Sequence, residues 1–115
     1  MKLFAVVPFI VTGVKWGKPV TWIVKQNPRL LKLARETFEG NKQLRDEANA
    51  LIKQLTQDNM NPGIGTKPIG KSIFEARSSS GARVYFRNAG TGVEILGYSN
   101  KGNQDEVIRA ILKTY

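Results

Sequence analysis

The chain has 115 residues, with 18 Lys and Arg against 9 Asp and Glu, a formal net charge of +9. It contains neither Cys nor His, which excludes disulfides, thiolate nucleophiles, zinc–thiolate and iron–sulfur sites, and a Ser–His–Asp hydrolase. The length suits one domain, and 41% hydrophobic with 23% charged residues is globular rather than disordered composition. Acid–base chemistry would rest on Glu, Asp, Lys, Tyr or Arg. The cationic excess points to a polyanionic partner: nucleic acid, an acidic protein or a membrane surface.

In chain order, Lys2 precedes an apolar run, Leu3 to Val11, which has the shape of a signal-peptide start. Pro8 interrupts it, no Ala-x-Ala site follows, and it falls short of the ~20 residues of a membrane-spanning helix. It reads as a strand or packing segment, with export left open. Pro19–Val24 is β-branched and aromatic and reads as a short strand. Asn27-Pro28 is a helix start, with Asn as N-cap and Pro at the first helical position. Leu30, Leu31, Leu33, Ala34 and Phe38 recur at helical spacing, and Gly40 stops the helix. Asn41 caps a second helix with an apolar stripe of Leu44, Ala48, Leu51, Ile52 and Leu55, leaving Glu47, Lys53 and Gln54 toward solvent. The short joint predicts an antiparallel hairpin of helices of roughly 11 and 17 residues.

Asn59–Pro68 is rich in breakers and reads as a loop, and Gly63-x-Gly65 within it lacks a phosphate-loop pattern and reads as a linker. After it the period changes from helical to strand-like. Ser72–Ser78, Ala82–Asn88 and Val93–Ser99 read as three strands of a meander with turns at 79–81 and 89–92. Gln104–Lys113 is a closing helix with Val107, Ile108, Ile111 and Leu112 inward. The predicted class is α+β: a small antiparallel β-sheet (meander) with an N-terminal helical hairpin and a C-terminal helix packed on it.

Strand alternation divides the meander into two faces. Phe74, Ala76, Val84 and Phe86 share one. If the helices cover that face, the other presents Glu75, Arg77, Arg83, Tyr85 and Arg87 together. Three guanidiniums, a carboxylate and a phenol suit phosphate and base contacts. The alternative is an ordinary solvated sheet face. Lys67 and Lys71 precede this patch and Lys101 follows the third strand. Seven basic residues (Lys2, Lys15, Lys18, Lys25, Arg29, Lys32 and Arg35) come before the first acid, Glu36. They would form a second nucleic-acid contact, or simply a solvated helix surface.

Phe74-Glu75-Ala76-Arg77, the Ser/Gly turn, Ala82-Arg83-Val84-Tyr85-Phe86, Ile95-Leu96-Gly97-Tyr98 and Asn100–Gln104 resemble the RelE/ParE toxin superfamily, within the wider RelE-like and barnase-like ribonuclease group. The helical hairpin before them fits the same element order. The resemblance implies a toxin domain over residues 19–115 behind an N-terminal extension, 1–18. It further implies a metal-independent endoribonuclease without cofactor, acting on ribosome-bound mRNA or tRNA by 2′-hydroxyl attack on the phosphate. Arg83 then matches the phosphate-stabilising arginine, and Arg77 the arginine ending the preceding strand. Glu75 stands where some members carry a general base. A carboxylate beside cations is a weakened base, so Glu75 instead orienting an Arg stays open. Tyr115 does not align with the family's catalytic Tyr or His, leaving Tyr85 and Tyr98 as substitutes for the acid. Lys67, Lys71, Arg87, Tyr98 and Lys101 would bind RNA. The implied partners are RNA and a cognate antitoxin or immunity protein, with no membrane. The implied location is the cytoplasm, directly or by delivery into a target cell. A gyrase-poisoning toxin and a non-catalytic RNA-binding module are the alternatives.

Overall fold

Asn27 caps the first helix as its chemistry demands: the side-chain oxygen accepts from the Leu30 amide at 2.9 Å, and Pro28 opens helix α1, Pro28–Phe38. Asn41 does the same for α2, Lys42–Thr56, accepting from the Leu44 amide at 3.0 Å. These helices are 11 and 15 residues long. The structure, a computed structural model, describes residues 17–115. The strand or packing segment expected within Met1–Val11 lies outside the described residues.

The fold is α+β, with three helices and a five-stranded mixed sheet. The strands are β1 (Val20–Trp22), β2 (Gly65–Gly70), β3 (Ile73–Arg77), β4 (Arg83–Ala89) and β5 (Gly92–Ser99), in the order β1-β5-β4-β3-β2. Helix α3 spans Gln104–Thr114. The sheet therefore departs from the expected three-stranded meander at both edges. The strand expected over Pro19–Val24 stops at Trp22, and Ile23–Gln26 winds into a 3-10 turn that leads into α1. That short strand runs parallel to β5, pairing Val20 with Val93 and Trp22 with Ile95.

At the opposite edge, the second half of the expected loop is β2, antiparallel to β3. Pro68 is tolerated there because an edge strand has one unpaired side, where a missing N–H breaks no ladder. The turn from β2 into β3 has left-handed Lys71 and Ser72, at φ 56° and 60°. A two-residue turn of this kind favours glycine, since a Cβ is strained there. Ser72→Gly is expected to stabilise the chain by about 0.5–1 kcal/mol and raise Tm by about 2–4 °C. An unchanged or lower Tm in a thermal melt would show that this turn carries no strain.

Helices cover both faces of the sheet, which the sequence did not predict. Gly97 and Tyr98 are consecutive and point to opposite sides. A Cβ on Gly97 would meet Ile111 Cδ1 at 3.1 Å and Val107 Cγ1 at 3.6 Å, so α3 lies against that side. On the other side the Tyr98 ring meets Phe38 of α1 edge-on, with centroids 5.1 Å apart. Beyond Ile95, β5 keeps β4 on one side but has no strand on the β1 side, where α1 packs against it. Thr37 Oγ1, which donates to the Leu33 carbonyl at 2.8 Å, lies 3.5 Å from the Tyr98 carbonyl and accepts from Asn103 Nδ2 at 3.0 Å, and Arg29 pairs with Glu106 at 2.8 Å. Glu47, expected to face solvent, accepts from Ser80 N at 3.3 Å and Gln43 Nε2 at 3.1 Å, pinning the β3–β4 turn to α2. The core joins Leu30, Leu33, Leu51 and Leu55 of the hairpin to Val84, Phe86, Ile95 and Leu96 of the sheet.

Candidate functional site

Strand register brings the sequence candidates together in two neighbouring cross-strand rows. One row runs Lys67–Glu75–Tyr85–Gly97, the other Gly65–Arg77–Arg83–Ser99. Residues two apart on a strand share a face, so both rows point to the α3 side. Gly97 leaves room for α3 to press close, and its first residue, Gln104, reaches down to Glu75.

The consequence is a correction to the expected exposed patch. Glu75, Tyr85 and Arg83 are 1%, 0% and 5% exposed. They form a buried polar centre rather than a wet sheet face, because α3 roofs the side expected to stay open. Glu75 is the hub. Its Oε2 accepts from Tyr85 Oη and Gln104 Nε2, both at 2.8 Å, and its Oε1 accepts from Arg77 Nη2 at 3.2 Å. Lys67 Nζ lies 3.9 Å from Oε1 and Arg83 Nε 3.9 Å from Oε2.

Burial by itself would raise the Glu75 pKa. Hydrogen bonds from Tyr85, Gln104 and Arg77, with the charge of Lys67, overcome it and hold the carboxyl below its ordinary range. Tyr85 moves the opposite way. Burial pushes its phenol far up, and the adjoining Glu75 charge adds to that shift, while the hydroxyl shared with Ser99 at 2.8 Å opposes it. At neutral pH the centre therefore holds a fixed anion and a neutral phenol, neither poised to exchange a proton. Arg83 donates from Nη1 to the Gly81 carbonyl at 2.9 Å, and its buried Nε has no hydrogen-bond partner.

Cations surround this centre unequally. The Lys67 and Arg77 side chains are 54% and 33% exposed and form its solvent-facing rim. Lys101 is exposed in the loop that joins β5 to α3. The other expected RNA ligands lie elsewhere. Arg87 shares the sheet face, but it is bound to Glu94 and lies 5.2 Å from the Tyr115 ring centroid, at the far end of α3. Lys71 caps α3 by donating to the Leu112 carbonyl at 2.5 Å, as a cation at a helix C-terminus does. Tyr98 is on the opposite face, accepting from Trp22 Nε1 at 3.1 Å, and burial raises its pKa to about 12 against the lowering effect of that bond.

Four contributors were missed by sequence reasoning. Gln104 bonds the Glu75 carboxylate directly, and Ser99 bonds the Tyr85 hydroxyl beside it. Asn103 and Asn100 exchange side-chain to backbone bonds at 2.9 Å, which fixes the loop that aims Gln104. Ser99 carried a signal, since alternation from Gly97 puts it on the Glu75 face. Gln104 carried none, because only the packing of α3 brings it there. Among the described residues, no group of three or more His, Cys, Asp or Glu could hold a metal ion, and no helix is long and apolar enough to cross a membrane. No family model, curated protein or solved structure matches the chain.

Proposed function

We propose that the chain is a metal-independent endoribonuclease toxin that cleaves RNA, either mRNA on ribosomes or tRNA, and that a cognate antitoxin or immunity protein holds in check. The carrying observation is the convergence of Lys67, Arg77 and Arg83 on the single buried carboxylate of Glu75. Three cations against one anion leave a local surplus of positive charge, preorganised by a rigid centre. The resemblance to RelE-like toxins supports the same reading.

The assignment of roles changes with the burial. Lys67 and Arg77 are the groups open to a phosphodiester. Arg83 lies beneath them and supplies charge from below. Glu75, Tyr85 and Gln104 are positioning residues that hold the cations in place. In the cleavage step the ribose 2′-oxygen bonds to phosphorus and the P–O5′ bond breaks. The 2′-hydroxyl proton leaves to solvent, and the departing 5′-oxygen takes one up. The products are a 2′,3′-cyclic phosphate and a 5′-hydroxyl end. The cations stabilise the charge that gathers on the phosphoryl oxygens.

One observation favours the non-catalytic RNA-binding module instead. Glu75 and Tyr85, the groups expected to move protons, are both sealed and both shifted away from neutrality. The two readings separate by experiment. The purified chain is incubated in EDTA with naked RNA, tRNA and translating ribosomes, beside Arg77→Gln. The nuclease reading expects cleavage by the wild type and a loss of about 10²–10³-fold in the variant, the scale of removing one charge-stabilising donor. Salt-dependent binding without cleavage would establish the binding module, and cleavage unchanged in Arg77→Gln would remove the rim from the mechanism.

A further inference from the structure

A second set of groups lies apart from the Glu75 centre. Trp22, at the end of edge strand β1, is 40% exposed. Its indole is not loose: Nε1 donates to Tyr98 Oη at 3.1 Å, and Lys25 Nζ stands 5.7 Å from the ring centroid. From Trp22 to Arg35 the sequence has no acid, and its cations fall at Lys25, Arg29, Lys32 and Arg35. Within α1, the spacing of three from Arg29 to Lys32 to Arg35 keeps neighbours on adjoining parts of one helical surface, about 4.5 Å apart along the axis. All four are exposed. Arg29 is tied to Glu106, whereas Lys25, Lys32 and Arg35 have no acidic partner among the described residues.

The stripe ends at a groove of about 830 Å³ at the joint of α1 and α2. Ala34, Phe38 and Tyr98 give it an apolar wall, and the charged residues that line it are Arg35, Lys42 and Arg45 with Glu36 and Glu39. Tyr98 thus touches both the groove and the Trp22 indole. A fixed, half-exposed aromatic ring, a run of cations and an apolar slot with polar edges lie together on one side of the molecule.

We infer that this surface is a binding track for single-stranded RNA, separate from the Glu75 centre. One base stacks on Trp22, an unpaired base enters the groove beside Phe38 and Tyr98, and the phosphates follow Lys25, Lys32 and Arg35. Aromatic faces take any base, and cations along them take the backbone. Glu36 and Glu39 in the groove would accept from base amino groups rather than meet phosphate, which stays on the cations. An acidic polypeptide would match the charge but brings no base to stack on the Trp22 ring. The track shares its RNA partner with the proposed nuclease but not its site, so either can fail alone.

The test uses a labelled 2′-O-methyl oligouridylate, which lacks the attacking hydroxyl and stays intact. Fluorescence anisotropy is read across a salt series, with a polyglutamate peptide as competitor. Trp22→Leu is expected to weaken binding about tenfold with the salt slope unchanged. Lys32→Gln with Arg35→Gln is expected to reduce the slope of log K against log salt by about 1.4, at roughly 0.7 per single-strand phosphate contact. These two positions are exposed, so that variant keeps the test alive if Trp22→Leu fails to fold. Both variants should still cleave a dinucleotide as the wild type does if the nuclease reading holds, whereas Arg77→Gln should bind the oligonucleotide with wild-type affinity yet cleave the dinucleotide about 10²–10³-fold more slowly. Wild-type affinity and slope in both track variants would overturn the track and leave the Glu75 site standing. Polyglutamate displacing the RNA at equal concentration, with the same Trp22 dependence, would also overturn it in favour of an acidic protein partner.

Discussion

Glu75→Ala is expected to destabilise the chain by about 3–5 kcal/mol, the range for removing one partner of a buried ion pair. The side chain has no exposure, so solvent does not screen its contacts. Its removal leaves Arg83 buried with Nε already lacking a partner, and strips the acceptor from Tyr85 and Gln104. Each orphaned buried group adds a desolvation penalty. Glu75→Gln keeps the volume and some hydrogen bonds but not the charge, and should fall between the wild type and Ala.

The same carboxylate should make the fold sensitive to acid. Its native pKa is lowered, so the unfolded chain binds the proton more tightly. This contribution is fully present above the ordinary carboxylate pKa and disappears as pH falls through the lowered native value. Denaturant titrations from pH 7 down to pH 3 should show a stability loss that is smaller in Glu75→Gln. Equal acid sensitivity in both proteins, or a Glu75→Ala penalty below about 1 kcal/mol, would mean that Glu75 is not the hub of this centre.

Gly63→Ala is the second large effect, at about 3 kcal/mol or more. Gly63 has φ +66°, and its added Cβ would come within 2.2 Å of the Arg77 carbonyl oxygen and 2.7 Å of Leu51 Cδ2. The first contact is with backbone and cannot be relieved by turning a side chain. Ile64 N donates to that same Arg77 oxygen at 2.9 Å, so the residues just before β2 are stitched to the end of β3. A methyl group there would prise the residues just before β2 from the Arg77 carbonyl and from Leu51 of α2. Arg77 belongs to the cationic rim, so if the proposed function holds, RNA cleavage should fall together with Tm. A melt within about 1 °C of wild type would show that the seam yields without strain.

The helix boundaries were legible because their causes are local. Asn27 and Asn41 each satisfy an amide three residues on, and Pro28 is preset for a first helical turn. The strands from Ile73 to Ser99 were legible for the same reason, since their alternation records the two sides of a sheet. Strand β2 was not. Its Gly and Pro residues have the composition of a loop, and only the free edge beside β3 makes them a strand.

The candidate site was half legible. Alternation correctly placed Glu75, Arg77, Arg83, Tyr85 and Arg87 on one face of the sheet. It could not say that α3 would roof that face, because roofing depends on Gly97 admitting Val107 and Ile111 at close range. The same cover converts Glu75 and Tyr85 from surface groups into a sealed pair, and leaves Lys67 and Arg77 as the rim.

By itself, then, the sequence determined the charge, the absence of thiol and imidazole chemistry, the capped helices and the face on which each strand residue points. These depend on composition, or on hydrogen bonds and periodicity spanning a few residues. The tertiary structure alone decided the parallel pairing of β1 with β5, the edge role of β2 and the burial of Glu75. It also gathered Trp22, Tyr98 and the α1 cations on one side. Each of these joins residues distant along the chain, through packing that no local pattern encodes.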